Sequence, residues 1–245
     1  MIADIWTVIW KEWRELLLLY GSKGGTISRL LFSGLLLAVV LPLQTGNLWV
    51  KSPLAIGLSG WLAVTWVVVI VADSFAGERE RHTLETLLAS PLSDRAILLG
   101  KVAAVVSYGW GYTMLILLMA LVTVNVSHAG EGLLLYPAPI ALGAVTCAFL
   151  SALLAASAGV LVSLKAATVR QAQQQLGLAI LTLTLIPSLA LSLLPNELNH
   201  KWSLTLEHTT TTQVFLMILV VLLVLDVGLL LVAMARFKRS RLILD

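Results

Sequence analysis

Apolar residues run in long unbroken stretches along this chain, and polar residues are confined to short intervals between them. A run of about 18 or more apolar residues is long enough to cross a bilayer core as a helix. The pattern predicts six such spans, at about 27–44, 54–72, 102–124, 138–164, 177–194 and 213–235. In hydrocarbon, every backbone N–H and C=O must find its partner within the segment, so each span is expected to be a helix. The expected fold class is an all-α integral membrane protein with six transmembrane helices. It forms a single domain over 1–245, with no internal repeat and no linker.

Two stretches depart from this rhythm. In the first, residues 2–20 (IADIWTVIWKEWRELLLLY) set Ile2, Trp6, Ile9, Trp10, Trp13, Leu16, Leu17 and Tyr20 at helical spacing. Asp4, Thr7, Lys11, Arg14 and Glu15 fall largely on the other side. Trp favours the headgroup region and a basic face favours anionic lipid, so the segment reads as an amphipathic interfacial helix. A helix packed on the bundle would show the same pattern. The segment begins with this Trp-rich helix and no small-residue cleavage site follows, so it is not expected to be a cleaved signal. Gly21, Gly24 and Gly25 would feed the chain into span 1.

The second stretch is the loop 73–101. Asp73 to Arg81 is expected to continue the end of span 2. Thr83 is a candidate cap for a short helix with Glu85 in its first turn. Leu84, Leu87 and Leu88 share one face of that helix. Pro91 drives Ser90 out of the helical region. Ser93 is a second N-cap, with Asp94 after it, and this helix runs on into span 3. The result is a short amphipathic helix held by two spans, with a free apolar stripe and a charged rim. Such an element suits a membrane surface or a groove on another protein. Arg79, Arg81, Arg95 and Lys101 balance Asp73, Glu78, Glu80, Glu85 and Asp94. A membrane-surface helix would be more basic, so the balance favours a protein partner.

Composition fixes the class. Residues are 59% hydrophobic and 12% charged, against about 25% charged in a soluble domain. The net charge of +3 does not point to nucleic acid, because the excess base sits beside the spans. Fourteen of the sixteen cations fall in the N-terminal segment, the loops after spans 2 and 4, and the C-terminus. The opposite loops share only Lys51 and Lys201. The positive-inside rule then puts both termini in the cytoplasm, as an even number of spans requires, in a cytoplasmic (inner) membrane. The outer loops are too short for a folded domain, and the tract 209–212 (TTTT) reads as the mouth of span 6. The lone Cys147 lies in an apolar run and has no partner for a disulfide within the chain.

Catalytic patterns are absent. No GxxxxGK[ST] phosphate loop occurs: Gly100-Lys101 is followed by Val102, and GSKGG at 21–25 has the wrong order. HExxH is also absent, and no metal site is expected. Residues 57–60 (GLSG) resemble the GxSG of rhomboid proteases, but a serine nucleophile needs a base within reach. His82 is in the cytoplasmic loop, and His128, His200 and His208 are in outer loops. Small-residue helix packing is the simpler use of GLSG. An aspartyl protease needs two membrane aspartates, and only Asp226 is within a span.

The run FAGERERHTLETLLASPLSDRAILLGK (75–101) resembles the loop after span 2 of ABC-2-type permeases, the membrane subunits of one class of ABC transporters. Lys-Glu-Trp-Arg at 11–14 resembles that family's interfacial connecting helix. The topology agrees over the whole chain, and the sequence likeness is specific over the loop. The resemblance implies a permease subunit of an ABC exporter, with the loop helix as its coupling helix. Thr83, Leu84, Glu85, Leu87 and Leu88 would face a separate ATP-binding subunit. Glu78, Arg79, Glu80 and Arg81 would form salt bridges at the rim or between span ends. ATP and Mg would belong to that partner, this chain holding no cofactor and being no enzyme. A second copy, or a homologous permease, would complete the path.

Within the spans, Asp226 is the expensive group: a carboxylate near the middle of a span faces the bundle or water. Asp226, Pro187 and Thr184 are the candidate path residues, with Ser151, Ser157 and Thr182 as further polar positions. Each polar position is equally open to a packing role, and Pro187 is a candidate kink. The substrate does not follow from the sequence. Thr-Leu-Glu followed by Ser-Pro-Leu also resembles the cytochrome c maturation permeases, of haem-exporter type, although Gly-Glu-Arg-Glu-Arg fits the general exporter branch better. An ATP-independent carrier or channel and a membrane scaffold are the readings from other classes.

Overall fold

The computed structural model describes residues 1–22, 34, 36–130, 132–193 and 211–237, and those residues form helices and connecting turns with no strand. The helices are α1 (Ile2–Ser22), α2 (Leu41–Thr45), α3 (Asn47–Lys51), α4 (Leu54–Glu80), α5 (Leu84–Leu88), α6 (Asp94–Ser127), α7 (Ala138–Ser163), α8 (Val169–Leu193) and α9 (Thr211–Arg236). A single π-helical turn, Leu36–Val40, leads into α2.

Among the described residues, four helices are long and apolar enough to cross a membrane: α4, α6, α7 and the Phe215–Arg236 part of α9. The other two expected spans fall short of that standard among the described residues. Residues 27–33 of the first lie outside the described chain. Its described end is a broken rod, in which the π-turn and α2 stop at Gly46, whose φ of 54° starts the separate helix α3. The fifth, expected at 177–194, falls on α8, but that helix starts at Val169 with the polar turns Arg170, Gln171, Gln173, Gln174 and Gln175. α8 runs through Pro187 to Leu193 without a break in its helical assignment.

The core is the seam of α4 with α7, the most extensive helix pair, to which α6, α8 and α9 add. α7 sets Gly159 against the branched Val71 of α4 and adds Ala148, Ala152 and Ala156 to the same core, while Gly109 of α6 receives Val67. Small residues let two backbones approach closely where lipid offers no hydrophobic drive for association. Ser59, of the GLSG stretch, is fully buried in this seam and donates to Ile56 O and Ala144 O at 2.7 and 3.0 Å. Its hydroxyl is a helix-packing group. At the other end, Ser163 Oγ accepts from the N–H groups of Phe75 and Ala76 and donates to Ala72 O.

α1 has two working faces. Val8, Glu12 and Leu16, spaced by four, are buried, with Val8 against α6 at Gly100, where any Cβ would meet the Val8 side chain. Ile2, Trp6 and Trp10 are exposed. The expected apolar face is thus split, with Ile2, Trp6 and Trp10 outward and Leu16 packed, and the packed face includes a carboxylate.

Candidate functional site

The charged loop folds as a knot of four successive residues that end the apolar run of α4. Side chains on a helix step by about 100°, so Glu78, Arg79, Glu80 and Arg81 point in four directions, and each finds a different neighbour. Glu78 turns inward and is 3% exposed. Its Oε1 accepts from Lys101 Nζ at 2.9 Å and from Lys11 Nζ at 3.2 Å. Arg79 donates from Nη1 to Ala166 O at 2.5 Å and from Nη2 to Leu164 O at 2.9 Å. Those carbonyls lie just past the end of α7, where helix carbonyls lack partners and the dipole is negative. Glu80 Oε1 accepts from Val169 N, at the start of α8, at 3.2 Å. Arg81 returns over its own helix to Asp73 at 3.2 Å. That return path crosses Gly77, where a Cβ would collide with the Asp73 carboxylate.

Behind Glu78 lies a buried ionic centre. Lys101, 1% exposed, donates to Glu12 Oε1 at 2.7 Å, Glu78 Oε1 at 2.9 Å and Ser74 O at 2.9 Å. Its ammonium also sits 5.2 Å from the Phe75 ring centroid, within cation–π range. The centre ties α1, α4 and α6 together next to the short helix. Lys11 borders it from the exposed side. Burial alone would lower the Lys11 pKa, but the carboxylates of Glu12, Glu78 and Glu15 outweigh burial and hold it above the ordinary 10.5.

The chain reverses after α4 through a Schellman turn. His82 takes a left-handed φ of 55°. Its N–H bonds Arg79 O, and the Thr83 N–H bonds Glu78 O, the pair of bonds that defines this C-cap. The Thr83 hydroxyl also donates to Glu78 O at 3.3 Å. Thr83 therefore does not cap α5 with its side chain, contrary to expectation, because its polar groups close the preceding helix. Ser93 does cap the next one, accepting from Ala96 N at 3.2 Å.

The apolar stripe of α5 is not wholly free. Leu84 is buried in this chain's own core, where Leu87 is partly packed against it. The Leu84 position was expected to face a partner; the tight turn at His82–Thr83 rotates it inward. The Leu88 side chain lies outside the described residues. Thr83, Glu85 and Thr86 are exposed. Between α5 and α1 opens a groove of about 680 Å³, with Leu87 and Leu92 in its wall and Lys11, Glu15, Arg81 and Thr86 around it.

The candidate path residues do not gather into one site. Asp226 is 1% exposed on α9, a helix whose other faces are mostly uncovered and which packs on α7. Neither of its carboxylate oxygens has a hydrogen-bond partner among the described residues. Thr184 is exposed on α8 and donates to Ile180 O and Leu181 O of its own helix. Thr182 does the same with Leu178 O and Ala179 O. The Pro187 side chain lies outside the described residues. Ser157 is buried with no partner for its Oγ among the described residues, whereas Ser151 Oγ is 4.0 Å from Cys147 Sγ. Among the described residues no three His, Cys, Asp or Glu side chains cluster as a metal site.

Glu12 is the residue the sequence reading passed over. Its trace was a carboxylate at four-residue spacing between Val8 and Leu16, inside the stripe that packs on α6.

The loop, the two long helices that frame it and nearly all of α1 lie within one stretch that matches a family model. The family model described as ABC-2 type transporter matches residues 4–193. A comparison with curated proteins returns no match. The match spans more than half of the chain and includes α1, the loop and α4 to α8, so this chain belongs to the ABC-2 type transporter family and is a membrane component of an ABC transporter.

Proposed function

We propose that this chain is the permease subunit of an ABC exporter, driven by a separate ATP-binding subunit docked at α5. The observation that carries this reading is the way α5 is held. It hangs between the ends of two long helices, α4 and α6, beside a groove walled by α1. Beside it, Glu78, Lys101 and Arg81 are fixed by internal partners. A rigid element in that position converts a push from outside into movement of its two attached helices. ATP and Mg would act in the partner. Closure of the ATP-binding subunits would press on Glu85, Thr86 and Leu87, and α4 and α6 would tilt together. In this reading the full topology has six spans, both termini are cytoplasmic, and a second copy or a homologous permease completes the path.

Co-purification tests it. The chain is expressed with an ABC ATP-binding subunit encoded beside its gene, as wild type and as Glu85→Lys with Thr86→Asp. Both positions are exposed, so the fold should survive. A complex in wild type that is lost in the double variant is the expected outcome. A wild-type chain that retains no ATP-binding subunit would overturn the reading and favour an ATP-independent carrier.

A further inference from the structure

We propose that the non-helical strap at residues 132–136, between α6 and α7, is a membrane-surface anchor. Its Leu133 and Leu135 side chains insert where lipid headgroups meet acyl chains, at the end of α6 remote from the charged loop. The inference rests on the chain crossing a membrane and not on docking at α5.

The first support is that the strap has two faces and a fixed register. Burial alternates along it, in the manner of an extended chain. Leu134 and Tyr136 pack inward on the cluster of Trp49, Val50, Ala120 and Val124. Leu133 and Leu135 face outward, 79% and 61% exposed. Asn125 of α6 donates to Leu134 O and accepts from Leu134 N, both at 2.8 Å. Trp49 Nε1 donates to Tyr136 Oη at 2.9 Å, and Tyr136 Oη donates to Leu117 O at 3.2 Å. A pinned backbone therefore presents two leucines outward. The Asn125 amide also pairs both backbone groups of Leu134, as non-helical backbone beside lipid requires.

The second support is depth. Lys101 is the last charged residue of α6. Counted from Val102, a hydrocarbon core of about 30 Å takes about 20 helical residues, to near Leu121. Asn125 stands four residues further, about 6 Å along the axis. The headgroup layer adds about 5–7 Å on each side of the core, so the strap lies within it. The exposed apolar surface of α6 reaches the same level: Leu118, Val122 and Val126 are exposed at four-residue spacing, and Asn125 adjoins Val126. Residues 132–139 (GLLLYPAP) carry no charge. An exposed apolar surface continuous with a spanning helix is complementary to lipid.

Spin labelling of the full chain in phosphatidylcholine nanodiscs tests the anchor. Cys147→Ser removes the single native thiol, and Leu133→Cys, Leu135→Cys and Glu85→Cys then take one nitroxide each. Glu85, exposed on α5, is the water-facing reference. Labels at 133 and 135 that lose collisions with a soluble nickel chelate and gain collisions with oxygen, relative to 85, support the proposal. Nickel collisions as frequent as at 85 overturn it. Labels shielded from both reagents mean that a second copy or another protein covers this face, and also overturn it. An unlabelled variant guards against disturbance by the label. Leu133→Asp with Leu135→Asp should lower the melting temperature in the nanodisc, because charge is costly beside lipid. At two water-facing positions the same change would leave it unaltered, and that result overturns the anchor.

Discussion

Lys101 Nζ and Glu12 Oε1 lie 2.7 Å apart and buried, although 89 positions separate them in the chain. This contact joins α1 to α6, the helix that leaves the charged loop. Glu78 shares the same ammonium from the helix that enters the loop. Removing one member of a buried ion pair costs about 3–5 kcal/mol, because the remaining charge is left unpaired in a poor solvent. Lys101→Met leaves Glu12 without its closest cation and Glu78 with only Lys11, so it should lower stability by about that amount. Adding Glu12→Leu should recover part of the loss. Thermal unfolding in detergent measures both, and an unaltered melting temperature in Lys101→Met would contradict the assigned role.

His82 occupies a left-handed position that glycine usually fills at the end of a helix. A side chain there costs roughly 1–2 kcal/mol, part of which glycine gives back through its freer unfolded state. His82→Gly should therefore raise stability by about 1 kcal/mol without moving α5. Denaturant titration decides it; a loss of stability would mean that the imidazole makes a contact the backbone argument overlooks.

Much of the loop was legible because its signals are local. Ser93 capped as its spacing required, and α4 ran past the apolar stretch to Glu80. What was hidden depends on contacts between distant segments. Nothing near Glu12 announces that Lys101 will arrive beside it, and nothing in Glu-Arg-Glu-Arg reveals that two of the four will cap α7 and α8. Leu84 misled because periodicity locates an apolar face but not what covers it. In the first expected span, the π-helical turn Leu36–Val40 was illegible for a related reason: an unbroken apolar run does not announce a change of helical winding.

The Lys11 ammonium carries a pH dependence. Its pKa in the folded chain is above 10.5. Folding therefore favours the protonated form, and the contribution is fully present below pH 10.5 and lost as pH rises through the folded value. Melting temperature plotted against pH on the alkaline side should fall more steeply for wild type than for Lys11→Met. Parallel curves would mean that Glu12, Glu15 and Glu78 do not hold this cation in solution. The side chain is 43% exposed, so the difference should shrink as salt is raised.

Asp226 is the place where stability and use separate. Its oxygens are buried against α7 without partners among the described residues, and such a group costs about 1–3 kcal/mol relative to an apolar one of similar shape. Asp226→Leu should accordingly raise the melting temperature. A buried carboxylate on a helix long and apolar enough to cross a membrane is the mark of a group kept for activity rather than stability. ATP turnover by the complex reconstituted with its ATP-binding subunit should then fall in Asp226→Leu, and in Asp226→Asn, which preserves shape. Full turnover in both variants would make Asp226 a packing residue and remove it from the candidate path. A drop in melting temperature for Asp226→Leu would instead show that the carboxylate has a hydrogen-bonding partner beyond the described residues, and that the seam depends on it.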